Sequence, residues 1–115
     1  MAEGHWQVRL SIAADQDLAS IVHWTTQAFG PKQASGYQQT IVQAVRALRG
    51  GPDLPASKAR DEVRAGVRIL HVAKRGRRGR HILVYRVIEE GVIEVLRILH
   101  DSMDLARHVP RGGEP

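Results

Sequence analysis

The hydrophobic pattern of the first third of the chain predicts one strand followed by two helices. Apolar and polar residues alternate over residues 6–12, which is the spacing of a half-buried strand. Apolar residues then recur every three or four positions, which predicts a helix capped by Asp15, with Asp17 in its first turn. Gly30 ends this helix and Pro31 opens the next, an arrangement typical of helix boundaries.

The rest of the pattern predicts a helical hairpin and a small sheet. The second helix runs over about 31–49 and should fold back on the first, because the connection is short. Residues 56–65 are charged and poorly patterned, which favours a loop. Alternating segments at 67–73, 81–88 and 92–99 are joined by "KRGRRGR" and "EEG" as hairpin loops, so these three strands should be antiparallel. The fold class is therefore α+β, in the order β-α-α-β-β-β. The helices should cover one face of a small, mainly antiparallel sheet. The first strand should lie at an edge of this sheet if the last three strands form a meander, unless it pairs centrally. The other face is left for a partner.

The length of 115 residues predicts a single domain over 1–115, with its core in about 6–109 and a frayed tail at 110–115. The chain has no cysteine, which excludes a disulfide frame and a thiolate metal site. No apolar run has the length of a signal peptide or of a membrane helix. We therefore expect a soluble, intracellular protein of the cytoplasm with no membrane partner.

The charge is basic and is carried mainly by arginine. Seventeen Lys and Arg residues oppose twelve Asp and Glu residues, for a net charge of +5. Arginine suits carboxylate and phosphate groups, so we expect an acidic partner, either nucleic acid or an acidic protein segment. Five cations crowd the segment "KRGRRGR": Lys74, Arg75, Arg77, Arg78 and Arg80. This segment is either a solvated hairpin tip or a docking surface for anions.

The last strand carries an arginine and a histidine among aliphatic residues. A charge there must be paired or reach solvent, and Asp101 and Asp104 are the candidate partners of Arg97. Alternation places Arg97 and His100 on opposite faces if the strand continues that far. His100 is expected to hydrogen-bond at the strand end, and Met103 to fill the core at the edge of the sheet.

Motifs for metal, nucleotide or base-stacking sites are missing from the sequence. The six histidines show no metal-binding spacing and have no cysteine partner, so no metal or other cofactor is expected. No phosphate-binding loop or nucleophile elbow occurs. Only five aromatic residues are present, which gives little support to a base-stacking platform: Trp6, Trp24, Phe29, Tyr37 and Tyr85.

The second half of the chain resembles the RelE/ParE toxin superfamily, and its ParE branch in particular. The ending "GRHILVYRV…IEVLRILHDSMDLARHV" and the β-α-α-β-β-β order carry the resemblance, which covers about residues 6–109. The matching positions are Gly79, His81, Tyr85, Arg86, Arg97, Ile98, Leu99, His100, Met103 and Asp104, preceded by Pro55, Glu62, Gly66 and Arg68.

The resemblance implies the toxin of a type II toxin–antitoxin module, often associated with plasmid stabilisation. Such a toxin is neutralised in a hetero-oligomeric complex with a cognate ParD-like antitoxin that has an acidic toxin-binding segment. ParE-like members inhibit DNA gyrase, so DNA would be reached only through gyrase or the antitoxin. Residues expected to bind antitoxin or target are Arg68, Arg75, Arg77, Arg78, Arg80, His81, Tyr85 and Arg86. Residues of the structural motif are Arg97, His100, Met103 and Asp104, with Arg97 and Asp104 expected to lock the last strand to the chain end.

RelE-like relatives instead cleave mRNA on the ribosome, which is the alternative function. Metal-free cleavage needs a base, an acid and cations within reach of one phosphate. The candidates are Glu62, Arg68, Arg97 and His100, with His81 or Tyr85 as additions. RelE-type toxins tend to carry a basic residue or histidine followed by a tyrosine near the C-terminus, and the ending "LARHVPRGGEP" has no tyrosine. This departure favours a gyrase inhibitor without catalytic residues over an endoribonuclease.

Overall fold

A computed structural model describes residues 6–74 and 77–109, with the side chains at 74, 77 and 78 outside the description. Two helices and a short third helix accompany five strands. In chain order they are β1 (Gln7–Leu10), α1 (Ile12–Phe29), α2 (Pro31–Ala47) with a 3-10 turn (Leu48–Gly50), β2 (Ser57–Ala59), β3 (Arg68–Lys74), β4 (Arg77–Glu89), β5 (Val92–His100) and α3 (Leu105–His108).

The strands form one mixed sheet in the order β1-β5-β4-β3-β2. β3, β4 and β5 are an antiparallel meander, as expected, and β1 pairs with β5 in parallel at one edge. The helical hairpin supplies the long crossover that a parallel pair requires. The predicted α+β class is confirmed. The segment 56–65, predicted to be a loop, contributes the short edge strand β2, whose three residues are too few to show alternation.

Helix α1 begins earlier than predicted because Ser11, not Asp15, is its cap. The Ser11 hydroxyl accepts a hydrogen bond from the Ala14 amide at 3.0 Å and donates to the Leu96 carbonyl at 2.8 Å. The Ser11 amide donates to the Val95 carbonyl, so this residue ends a strand ladder and starts a helix at once. At the other end, Gly30 has φ 95°, a backbone conformation that favours glycine, and Pro31 follows at the first position of α2.

Both faces of the sheet are apolar. The face toward α1 and α2 buries Tyr85, Leu83 and Ile93 against Ile41. The opposite face carries a smaller core of its own, in which Leu105 and Val109 pack on strand residues. The chain itself therefore covers part of the face that was expected to be left for a partner.

A bulge in β5 changes which of its residues share a face. The pairing with β4 shifts register between Arg97 and Val95, opposite Val84 and Tyr85. Ile98 therefore joins the helix-side core while Leu99 lies in the opposite core, the reverse of simple alternation from Val95.

Two further expectations for the second half need correction. Met103 does not fill the core, since 38% of it is exposed beyond the end of β5. The segment "KRGRRGR" is mostly strand, because β3 continues to Lys74 and β4 begins at Arg77. Cross-strand pairing extends the hairpin further than its turn-like composition indicates.

Candidate functional site

Arg97 is held by an acid from α1 and not by the acids that follow it. Its guanidinium donates to both carboxylate oxygens of Asp17, from Nε at 2.7 Å and from Nη2 at 2.9 Å. Its Nη1 donates to the His108 carbonyl at 2.9 Å. The hydrogen bonds to Asp17 raise the pKa of Arg97. The expected pairing with Asp101 or Asp104 is therefore wrong, although Arg97 does tie β5 to the chain end through His108.

Asp17 is in this position because β1 is short. β1 pairs with β5 only as far as Leu10 opposite Val95, which leaves the edge of β5 bare beyond that point. The Asp17 carboxylate accepts a hydrogen bond from the Ile98 amide at 2.9 Å and so replaces the missing strand. Asp104 has a different task, since its side chain caps α3 by accepting from the Ala106 amide.

The four candidate nuclease residues are not brought together. Arg97 is bound by Asp17, and Glu62 lies in an exposed turn where its pairing with Arg60 lowers the pKa of its carboxyl. Arg68 donates to the Ser57 hydroxyl at 2.8 Å. His100 is hydrogen-bonded to Ser102 at the end of β5, as expected, through Nδ1 and Oγ 2.7 Å apart. These side chains do not converge on one phosphate.

A wide groove of about 1200 Å³, which we call the aromatic groove, opens between the helical hairpin and the ends of β4 and β5. The residues that line it are Trp24, Thr25, Phe29, Lys32, Gln33, Gly36, Tyr37, Gly79, Arg80, His81 and His100. Trp24 and Phe29 form an edge-to-face pair with ring centroids 5.8 Å apart, and are 63% and 60% exposed. Exposed aromatic pairs of this kind are uncommon on a surface that has no partner.

One wall of the aromatic groove contains a row of polar rings. The Tyr37 hydroxyl lies 2.7 Å from Nδ1 of His81, and the ring of His81 stands edge-on to the ring of His100 at 5.6 Å. Burial, with a contribution from Asp101, raises the pKa of Tyr37, and burial, with a contribution from His100, lowers the pKa of His81. Both groups are therefore neutral near pH 7. Two arrangements satisfy this contact: the phenol donates to Nδ1 while the imidazole proton is on Nε2, or the Nδ1–H donates to the phenol oxygen.

The lowered pKa of His81 makes stability depend on pH. The unfolded chain takes up a proton at His81 near pH 6.5, whereas the folded chain does so only at lower pH. The stability that the neutral, partly buried His81 contributes is therefore fully present above pH 6.5 and is lost as the pH falls below it. We expect the stability advantage of the native chain over His81→Asn to shrink between about pH 8 and about pH 5. Urea unfolding across that range measures it. His23→Asn, at an exposed position of α1, is the control and should show a constant difference. A constant difference for His81→Asn would contradict the burial of the ring.

A second groove, which we call the sheet groove, has about 760 Å³ and lies on the opposite face of the sheet. Its lining combines aliphatic residues with both signs of charge: Ala56, Lys58, Arg60, Ile69, His71, Ala73, Ile82, Asp101, Met103, Asp104 and Leu105. His71 Nε2 approaches the Asp101 carboxylate at 3.8 Å across this groove.

The residues expected to bind antitoxin or target are scattered in the structure. Tyr85 is fully buried and its hydroxyl donates to the Pro52 carbonyl at 2.7 Å, so it is a core residue and not part of a contact surface. Arg80 and His81 line the aromatic groove, while Arg68 and Arg86 line a small groove of about 260 Å³ elsewhere. Arg75 and the side chains of Arg77 and Arg78 lie outside the described residues.

Spacing along the chain points only weakly to the aromatic groove. Trp24 lies off the apolar stripe of α1 formed by residues such as Leu18 and Val22, and a large aromatic residue outside a stripe is the available signal. Tyr37 has the helical spacing of Ala34 and Ile41 in α2, which predicts a core position. Its contact with His81 joins positions 44 residues apart, which spacing along the chain cannot indicate.

The described parts of the chain offer neither a metal cluster nor a membrane-spanning helix. Residues 6–74 and 77–109 contain no group of three or more His, Asp or Glu side chains that could hold a metal ion. No helix within those ranges is both long and apolar enough to cross a membrane.

Comparison with known proteins agrees with this architecture. The family model of the ParE toxin of the type II toxin–antitoxin system parDE matches residues 8–105. Toxin ParE1 of Mycobacterium tuberculosis is 36% identical over 100 residues, which cover 87% of this chain and 94% of that relative. The chain belongs to the ParE toxin family of type II toxin–antitoxin systems.

Two solved structures share the fold. One is the chromosomal ParDE toxin–antitoxin system from P. aeruginosa, with a TM-score of 0.63, 23% identity and coverage of 84% of this chain and 97% of that one. The other is the toxin–antitoxin complex RelBE2 from Mycobacterium tuberculosis, with a TM-score of 0.54, 25% identity and coverage of 87% and 93%. The resemblance to the RelE/ParE superfamily inferred from the sequence is therefore confirmed.

Proposed function

We propose that this toxin inhibits DNA gyrase, so blocking replication, and that a ParD-like antitoxin neutralises it by direct binding. The observation that carries the proposal is the separation of Glu62, Arg68, Arg97 and His100 in a member of the ParE family. Each of these side chains is engaged in a different contact, which supports action by binding a protein target and not by breaking bonds.

The sheet groove is the surface that best suits the antitoxin. Its aliphatic floor, formed by residues such as Ile69, Ile82 and Leu105, would take the apolar face of a helix. Lys58 and Arg60 on its rim would meet acidic side chains of the same segment. The solved ParDE and RelBE2 systems that share this fold are themselves toxin–antitoxin assemblies, which supports an antitoxin partner here.

Charge should steer the antitoxin to the toxin. With a net charge of +5, we expect the association rate to fall at least about tenfold between about 50 mM and about 500 mM salt. Lys58→Gln should raise the dissociation rate, and Lys32→Gln, in the aromatic groove, should leave it unchanged. Surface plasmon resonance with the cognate antitoxin measures both rates. An association rate independent of salt would refute the steering, and equal effects of the two variants would refute the placement.

Expression in cells tests the proposed function. Induction of the toxin alone should arrest growth with filamentation and an induced DNA-damage response, while protein synthesis continues. Co-expression of the cognate antitoxin should relieve all of these effects. Immediate loss of protein synthesis with cut transcripts, or no growth arrest, would reject gyrase as the target.

The second candidate function is ribosome-dependent cleavage of mRNA. The likeness to RelBE2 favours it, because that complex belongs to the RelE branch of the superfamily. Toxin mixed with ribosomes and mRNA would then give cut transcripts, and His100→Ala would abolish the cutting.

A further inference from the structure

The aromatic groove has a different chemistry from a groove that takes a peptide helix. Its apolar members are the flat rings of Trp24, Phe29 and Tyr37. No leucine, isoleucine, valine or methionine is among the described residues that line it. The sheet groove, in contrast, is lined by aliphatic side chains of the kind that hold an amphipathic helix. The two grooves are therefore built for different ligands.

The charged side chains among the described residues that line the aromatic groove are both positive, Lys32 and Arg80. The Asp101 carboxylate lies beside it, 3.5 Å from Nδ1 of His100, and belongs to the lining of the sheet groove. Arg80 ends the basic stretch at the start of β4. The sheet groove contains Asp101 and Asp104 and lacks this uniform sign. The aromatic groove is therefore complementary to an anion that also carries flat rings.

We propose that the aromatic groove binds single-stranded nucleic acid. Exposed aromatic rings stack on bases whatever the sequence, and nearby cations hold the phosphates. Although the chain has only five aromatic residues, three of them line this groove. The proposal goes beyond gyrase inhibition and does not depend on it. The single strand that binds could be DNA or RNA, because both carry bases and phosphates.

The residues of the groove divide the task. Trp24 and Phe29 offer stacking surface, with most of each side chain exposed. Lys32 and Arg80, both exposed, are placed to contact phosphates. His81, held by Tyr37 through Nδ1, has Nε2 left for a base edge. Nε2 donates to a carbonyl or ring nitrogen when it carries the proton, and accepts from a base amino group when Nδ1 carries it.

The test uses the full chain, freed of antitoxin, and fluorescein-labelled oligonucleotides of about ten nucleotides. Oligo-dT, oligo-U and a DNA duplex of the same length are titrated by fluorescence anisotropy at several salt concentrations. We expect both single strands to bind more tightly than the duplex. Tighter binding of oligo-dT would identify a DNA strand as the source, and tighter binding of oligo-U an RNA.

Matched variants locate the binding. Trp24→Ala should weaken it about tenfold, Trp24→Phe should restore it, and Ile12→Ala, an exposed apolar control on the same helix, should have no effect. Arg80→Gln should reduce the slope of log affinity against log salt by about 0.7, whereas Arg46→Gln, near the far end of α2, should leave the slope unchanged.

Three results would overturn the proposal. The first is no binding of either single strand at low salt, and the second is equal binding of duplex and single strands. The third is an unchanged affinity of Trp24→Ala for the single strands, which would mean that they bind through the overall positive charge of the protein and not by stacking in this groove. An acidic amphipathic peptide that binds in a manner sensitive to Trp24→Ala, where the oligonucleotides do not bind, would assign the groove to a protein partner.

Discussion

Replacing Asp17 with alanine should lower the free energy of unfolding by about 3 kcal/mol, because it leaves the largely buried Arg97 guanidinium without its charged partner. The two side chains are 15% and 24% exposed, so solvent cannot fully replace the lost carboxylate. The same change removes the acceptor of the Ile98 amide at the bare edge of β5. Urea unfolding should show a lower midpoint with an unchanged slope.

Two further variants distinguish loss of the Asp17–Arg97 ion pair from the general effect of removing an acid from α1. Asp15→Ala, in the first turn of α1, should cost about 1 kcal/mol or less through the helix dipole. Combining Asp17→Ala with Arg97→Met should recover part of the loss, since no unpaired charge then remains. Strictly additive effects of the two changes would mean that the residues do not act together.

Replacing Tyr85 with alanine should lower the free energy of unfolding by about 3–5 kcal/mol, the range for emptying a buried aromatic site. Tyr85 has no exposed surface and lies in the helix-side core. Tyr85→Phe keeps the ring and removes the hydrogen bond from the phenol to the Pro52 carbonyl, which still accepts from the Ser57 hydroxyl, so it should cost about 1 kcal/mol. Chemical denaturation of both variants measures these differences.

The Tyr85 variants also decide between two roles for this residue. The sequence placed it among residues that bind antitoxin or target, whereas the structure places it in the core. If Tyr85→Ala has the same urea midpoint as the unsubstituted protein and loses only partner binding, Tyr85 is a contact residue and its placement in the core is wrong. Tyr37→Phe, at the half-buried phenol of the aromatic groove, is the matched control and should cost less than Tyr85→Ala.

Local signals in the sequence were sufficient for much of the fold. Gly30 and Pro31 marked the helix boundary because backbone conformation there is set by one residue. Alternation separated the two faces of β4 correctly, with Leu83 and Tyr85 on one side and Ile82 on the other. It failed in β5, because a bulge inserts one residue and reverses the faces beyond it.

The contacts that define the candidate sites could not be read in this way. Asp17 and Arg97 are 80 residues apart, and a buried arginine accepts any acid that the fold brings within reach. Nearness in sequence pointed to Asp101 and Asp104, but the short β1 left an edge that only α1 could cover. The partner of Arg97 is therefore determined by the packing of α1 against the edge of β5.

We propose that this toxin disables gyrase through binding, with the half-buried Arg97 and the other cations in structural or docking roles. Supercoiling of relaxed plasmid by purified gyrase, with increasing amounts of antitoxin-free toxin, tests it most directly. We expect supercoiling to fall and cleaved DNA to accumulate on gyrase, with His100→Ala retaining the effect and added antitoxin reversing it. Unimpaired supercoiling in the presence of folded toxin, together with cut transcripts when the same preparation meets ribosomes and mRNA, would contradict the claim.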